Sequence, residues 1–571
     1  DLTVNGTATL NGPLQALGTI KLDGNYPTGD RNVALGDTAL DSVEAGGTDN
    51  TVIGSRAGTQ TTTGDRNTVY GSDAYRCNAT ASDNTAFGYQ AMFCNTSGHN
   101  NIAVGNALCK NESGLYNVAI GSGALSSNTT ASANVGIGRL ALTTNTTGAN
   151  NVAIGCCALK SNTTAANNVA VGHDSLKVNT TASNNTAVGC GAGAANTTGV
   201  SNTAVGHAAL NDNTTASNNT ALGMNSLALT TTGCQNTAVG AGAMDTNSTG
   251  DNNVAVGFSA LDANTTADNN TAVGHSALKA NTSGANNTAI GQAALCTNLT
   301  GGSNVAVGRC TLKLNTASNN VAVGYHSMCT TSSGTENTAI GMSSLKSNTT
   351  ASQNTALGNQ TLCKNTTGAN NTAVGACSLE ANTTADDNTA VGFCALKTNT
   401  VGFDNTAVGN EALKTNLGGD HHTAIGSGAL QKNTDGDNNT AVGWDSQNDN
   451  TTGSDNNSLG RESLHSNTTG GNNVAVGTCA LYANTTASNN TAIGQDALKT
   501  NTTGCENVSV GRQALRLNST GDNNVAIGIY SLEANTTADD NTAVGACSLV
   551  ANTTGGQNVA IGKCALVTNT T

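Results

Sequence analysis

NTAVGACSLEANTTADD (residues 371–387) is followed at once by NTAVGFCALKTNTVGFD (388–404), and the two strings match position by position. The glycine of this unit recurs at Gly36, Gly54, Gly71, Gly88, Gly105, Gly121, Gly138 and Gly155. It then returns every 17 residues to Gly308, slips by one to Gly324, and resumes at Gly341 through to Gly562. Only three spacings depart from 17, one of 18 and two of 16. A register held over more than 500 residues is the signature of stacked structural repeats. The consensus is Asn-[Thr/Val]-Ala-[Val/Ile]-Gly-x-x-[Ala/Ser]-Leu-x-x-Asn-Thr-Thr-[Gly/Ala]-x-Asn.

Each column has a physical reading. Thr-Ala-Val alternates and is β-branched, which predicts a short strand. The glycine ends it, where the chain turns tightly or packs closely. Asn-Thr-Thr-Gly has the chemistry of a turn. The core is expected in two columns: the Val or Ile before the glycine (Val188, Val391) and the Leu four after it (Leu176, Leu396). No apolar stripe of period 3.6 persists, so helices are excluded. The fold expected is all-β: a parallel β-solenoid of about 32 coils, with a side-by-side trimer as the first oligomer to consider, like residues about 4.8 Å apart and a rod on the order of 150 Å long. One coil buries little more than a Leu and a Val, too little to offset the entropy of ordering 17 residues. Stacking, with ladders of the recurrent Asn, must supply the rest.

Composition agrees with a thin core of small residues. Aromatics make up 2% of the 571 residues and charged residues 10%, against 69 glycines. Net charge is −14, and no basic run is dense enough to neutralise phosphates, which argues against nucleic acid as a partner. No apolar run of 18 residues exists, so no membrane-spanning helix is expected.

Residues 1–31 stand outside the period and hold both prolines, Pro13 and Pro27. They read as an N-terminal β cap or junction, with the repeat solenoid occupying 32–571. The chain opens at Asp1 without a signal peptide and stops within a repeat at Asn569-Thr-Thr, so both ends read as cut or processed. In one coil Trp444 appears and Gln447 takes the Leu column, which reads as a local irregularity.

Repeats such as Asn-Asn-Thr-Ala-Val-Gly-His-Ser-Ala-Leu (269–278) and Asn-Asn-Val-Ala-Ile-Gly-Cys-Cys-Ala-Leu (150–159) resemble the repeat regions of phage and algal-virus tail-fibre proteins. The opening Leu2-Thr-Val-Asn-Gly-Thr-Ala looks like the start of such fibres. More distantly, the Ala-Val/Ile-Gly-x-x-Ala/Ser string is similar to the head repeats of trimeric autotransporter adhesins, which form left-handed β-rolls in trimers. The resemblance implies a surface fibre on a virion or cell, with self-association and host-surface glycans or a receptor as partners.

The cysteines are the first candidates for chemistry. There are 17, seven of them two after the glycine, an exposed column by its other occupants. Cys377 and Cys394, Cys547 and Cys564, and in another column Cys77 and Cys94, lie one coil apart, within disulfide reach. Ladder or interchain disulfides and free thiols are equally open readings. The spacings match no zinc pattern, and no metal or cofactor is expected. Sequons at Asn128, Asn162, Asn179 and Asn218 would carry glycans in a secretory pathway, although an Asn/Thr-rich repeat creates sequons by itself. Rows of Thr could order water as an ice-binding surface does. Acidic turns such as Asp386-Asp387 and Asp539-Asp540 read as solvated rather than as calcium sites. His173, His207 and His275 share a column but never adjacent coils. No nucleophile–base pair, phosphate loop or acid pair stands out, so no enzyme is expected. The leading expectation is a structural extracellular or virion-surface fibre. The alternatives are a glycosylated, disulfide-supported microbial filament or sheath, and an ice- or surface-binding adhesin segment.

Overall fold

A computed structural model describes residues 30–570. The cap expected at 1–31 therefore lies outside the described residues, except for Asp30 and Arg31. The chain divides into two units, at 1–249 and 250–571. In the first, thirteen three-residue strands run from β1 (Val33–Leu35) to β13 (Thr237–Val239); in the second, nineteen run from β14 (Val254–Val256) to β32 (Val559–Ile561). Each unit is a parallel β-solenoid, with one strand per coil, and no helix occurs among the described residues.

Stacking is in register, so each residue lies against its equivalent one coil away. Thr372, Ala373 and Val374 pair with Thr389, Ala390 and Val391. Backbone bonds continue beyond the strands around the coil. Gly392 N–H donates to Val374 O at 2.7 Å, Cys394 N–H to Ala376 O at 3.0 Å, and Leu396 N–H to Ala412 O at 3.0 Å. The two 16-residue coils keep this register, pairing Ile102 with Val118 and Val305 with Val321. Their missing residues come from the connections, where the backbone can shorten without disturbing a strand.

The Leu column is core as expected: Leu396 is fully buried and Leu176 2% exposed. The Val/Ile column is not. Val188 is 37% exposed and Val391 only half-buried. Successive strand residues face opposite sides of a sheet. Thr389 and Val391 therefore share the outer face, and the residue between them, Ala390, is the one fully buried. Space explains the choice. At the one coil with Gly in the middle of its strand, a Cβ on Gly136 would lie 3.2 Å from Leu125 Cγ. The sheet and the Leu column are thus close enough that Ala fills the gap in most coils, Val52 and Val69 taking the position in two early ones.

The glycine ending each strand answers to a different constraint. Gly375 has φ +123°, and a Cβ there would stand 2.5 Å from the carbonyl oxygen of Gly392 in the next coil. No other residue tolerates that conformation and approach together.

Two buried asparagine ladders close the interior. Before each strand, the Asn side chain bonds the corner that follows one coil on: Asn388 Nδ2 donates to Gly402 O at 2.9 Å, and its Oδ1 accepts Asn405 N–H at 3.1 Å. The Asn of Asn-Thr-Thr forms the second ladder, with Asn382 Nδ2 donating to Asn365 Oδ1 at 2.9 Å and to Ala385 O at 3.0 Å. These bonds satisfy turn carbonyls that would otherwise be buried without partners.

The reassigned core is testable. Leu396→Ala should cost about 2–5 kcal/mol and raise hydrogen exchange in its own and adjacent coils. Val391→Ser should cost about 1 kcal/mol or less, as outward positions do. The reverse order of exchange rates would return Val391 to the core.

Candidate functional site: ladder cysteines, sequons and the outer columns

None of the 17 cysteines is joined in a disulfide in the structure. The column two after the glycine is more enclosed than its polar occupants suggest. Cys377 and Cys547 are half-buried and Cys564 is exposed, but Cys394 and Cys479 are buried. The candidate pairs also differ in geometry. Cys377 Sγ lies 3.9 Å from Gln360 Oε1 on the coil before. At Cys77 and Cys94 the thiols face one another. Burial, followed by the charge and hydrogen bond of Cys77, pushes Cys94 up to about 11. Cys94 therefore stays a protonated thiol at neutral pH and is a slow nucleophile. A vicinal contact absent from the expected pairs joins Cys156 Sγ and Cys157 Sγ at 3.5 Å.

The sequons separate into two classes. Asn128, Asn162 and Asn179 belong to the second buried ladder, each with no exposed surface. Asn162 Nδ2 donates to Asn145 Oδ1 at 2.8 Å and to Ala165 O at 3.0 Å, and Asn128 and Asn179 make the same pair of bonds. A glycan on any of the three is incompatible with the closed coil, which corrects the sequence expectation for these sites. Asn218 differs: it is exposed at the corner before the strand, with φ 62°, a conformation Asn tolerates.

The acidic turns have a structural use. Asp386 Oδ1 accepts Ala369 N–H at 2.6 Å and Asp539 Oδ1 accepts Asp522 N–H at 2.8 Å, each from the coil before. Serine does the same in other coils, as where Ser352 Oγ accepts Thr335 N–H at 3.0 Å. These aspartates therefore close turns. Among the described residues no group of three or more His, Cys, Asp or Glu converges as a metal site would. No helix there is long and apolar enough to cross a membrane.

Among the polar groups that replace ladder or core residues are Gln447 and His422. Gln447 is fully buried in the Leu column, and its Nε2 donates to Thr440 O at 2.9 Å and Ser458 Oγ at 2.8 Å while its Oε1 has no partner. His422 takes the Asn position before a strand and is 1% exposed. Its N–H donates to Asn405 Oδ1 at 2.9 Å and its Nδ1 accepts Asn439 N–H at 3.2 Å. That puts the ring proton on Nε2, which faces the Gly436 carbonyl and also lies 3.0 Å from Asn433 Nδ2. Burial pushes the imidazole down to about 4, against smaller opposing effects from the Gly436 carbonyl and Asp437.

What the sequence reading missed is the outer face of the sheet. In the second unit the first and third strand positions carry Thr, Val, Ile or Leu throughout, except for Asn457, and never a charge. Ile290, Ile340, Ile425, Ile493 and Ile527 are each at least 40% exposed. The near-constant Ala between these positions is the signal that could have found this face, because only the narrow side of a sheet demands Ala in coil after coil.

Against this geometry, the comparisons add no relative: no protein-family model matches the chain, and no curated protein matches it.

His422 gives a pH prediction. The folded ring is neutral down to about pH 4, whereas the unfolded ring takes up a proton near 6.5. Local stability should therefore be intact above about pH 6.5, fall as pH drops toward 4 and then level off, by on the order of 2–3 kcal/mol. His422→Asn should abolish that loss in hydrogen exchange of the 405–439 coils, with His421 and Asp437 left in place. An unchanged pH profile would assign the loss to the carboxylates.

Proposed function

We propose that this chain is a structural fibre segment of a virion or cell surface, non-catalytic, whose stacked coils associate with further copies and display a repetitive exterior. The observation that carries the reading is the charge-free Thr/Val and Val/Ile face along the second unit. Single proteins rarely leave an apolar patch above a few hundred Å² uncovered. Nineteen coils at about 4.8 Å, with two outward residues each, offer on the order of 900 Å², comparable to the roughly 800 Å² per partner of a stable interface. A surface repeating at the coil rise is complementary to other copies of itself, which supports a homo-oligomer, with a trimer as the first arrangement to test. The resemblance to tail-fibre repeats supports the surface setting.

The same face favours one second reading, an ice- or surface-binding segment, because Thr holds the first outward position in seven consecutive coils from Thr338 to Thr440. The glycosylated-filament alternative is weakened by the burial of Asn128, Asn162 and Asn179.

Sedimentation and electron microscopy of the purified chain test the first reading. Slender multimers are expected, and they should fall to monomers when Val374, Val391 and Val408 are all replaced by Lys. A monodisperse wild-type monomer would refute association. Inhibition of ice recrystallisation by that monomer, lost in the same triple variant, is the outcome expected of the second reading, and its absence would remove it.

A further inference from the structure

Charge is distributed unevenly along this acidic chain. Of its 22 Lys and Arg and 36 Asp and Glu, residues 269–379 hold five of the former and only one of the latter, Glu336. The basic residues gather on one arc of the coil, between the glycine and the Asn-Thr-Thr turn. Arg309 is first after its glycine, Lys313 and Lys346 fifth, and Lys364 sixth. They are close enough to act together: burial and then the charges of Lys346, Arg309 and Lys313 depress the proton affinity of His326, which lies among them. Lys346 and Lys364 likewise both act on Cys363, against Glu380, the first acidic residue beyond this stretch, which is paired with Lys397. Glu336 sits at an exposed corner with φ 59°, where Gln353 Nε2 donates to it at 3.2 Å.

Elsewhere in this unit four lysines have carboxylate partners, Lys397 with Glu380, Lys414 with Glu411, Lys432 with Asp449 and Lys499 with Asp496. Among the described residues, none of Arg309, Lys313, Lys346 and Lys364 has a carboxylate within ion-pairing distance. Arg309, Lys346 and Lys364 are exposed. The Arg309 guanidinium lies 5.9 Å from the centre of the Tyr325 ring, which is 45% exposed and stacks on His326 at 4.0 Å.

We propose that this arc, from Arg309 to Lys364, is a binding site for an acidic polysaccharide lying along the stack of coils. Spacing selects that ligand among polyanions. Four cations serve four coils, two on the first, none on the second and one on each of the next two, at a rise of about 4.8 Å per coil. A pyranose ring spans about one coil, so a sulfated or uronic chain matches this density of charge along the stack. Duplex DNA carries a charge every ~1.7 Å and is held by many more phosphate contacts than four cations make. Tyr325 adds what a sugar uses and a phosphate backbone does not: an aromatic face for its C–H bonds, next to a guanidinium for its acid group. The inference deepens the reading of a surface fibre and rests on it for where such a polymer is met.

The test is binding of the full chain to size-defined heparin oligosaccharides at 0.1 M salt, with neutral dextran and a duplex DNA of equal charge alongside. Wild type should bind heparin and not dextran. Arg309→Gln, Lys313→Gln, Lys346→Gln and Lys364→Gln together should weaken binding at least tenfold and flatten its salt dependence. The paired set Lys397→Gln, Lys414→Gln, Lys432→Gln and Lys499→Gln, which removes the same charge, should change it less than twofold. Absence of heparin binding, or equal losses in the two sets, would overturn the site. DNA binding as tight as heparin, lost in the first set, would make it a nucleic-acid surface instead. Electron microscopy of the same samples reports on the fibre independently and checks that both sets fold.

Discussion

Each coil can close only on its neighbour. The backbone of a coil makes few bonds to itself; its strand and connections donate and accept along the axis, to equivalent residues one coil away. A residue of the wrong size or polarity therefore displaces its equivalents above and below as well as its own surroundings. That is why the inward positions hold a narrow set, Ala, Leu, Asn and the strand-ending Gly. The thin interior follows from the same constraint, because an Ala opposite a Leu is what the separation of sheet and Leu column admits.

The exceptions behave as this constraint requires. Tyr75 takes a Leu position, but its hydroxyl lies near both asparagine ladders' turn groups, 2.9 Å from Asn67 Oδ1 and 3.1 Å from Ala81 O. At Gln447 the substitution extends to Ser458, which replaces the strand Ala of the next coil, and Ser446 and Ser463 of the Ala/Ser column join it, with Ser446 Oγ 3.0 Å from Ser463 Oγ. Polar side chains occupying Ala and Leu columns in adjacent coils build a hydrogen-bonded plug, and one amide oxygen is still left without a partner. Such coils mark the least stable stretches of a repeat whose stability is otherwise a sum of similar interfaces.

The period, the strand string, the glycine turn and the Leu column were legible because each imposes a residue type that recurs. The orientation of the strand was not. Thr-Ala-Val alternates whichever face is buried, and hydrophobicity alone favours Val188 and Val391 over Ala. Packing distance decides, and distance is set by the Leu across the coil rather than by the strand itself. The sequons fail for a related reason: the motif at Asn128 is read locally, while burial of its amide is decided by Asn111 and Asn145 in adjacent coils. In a solenoid, residues 17 apart determine one another more than residues two apart do.

This division assigns different work to the two sides of the coil. Inward columns are nearly invariant within one molecule, so they carry no information about a partner. Outward columns are released from that demand, and any regularity there needs a separate cause. The sheet face keeps its aliphatic character through nineteen coils in the second unit, although exposed positions cost little to vary. The arc from Arg309 to Lys364 departs in the opposite direction, concentrating unpaired cations where the chain as a whole is acidic. Closing the coil explains neither feature, since both lie outside the bonds that close it. A continuous apolar face suits a partner with the same repeat, and a short cationic arc suits one with charges spaced at the coil rise. The fold supplies the ruler, and the outer residues mark which of its divisions are used.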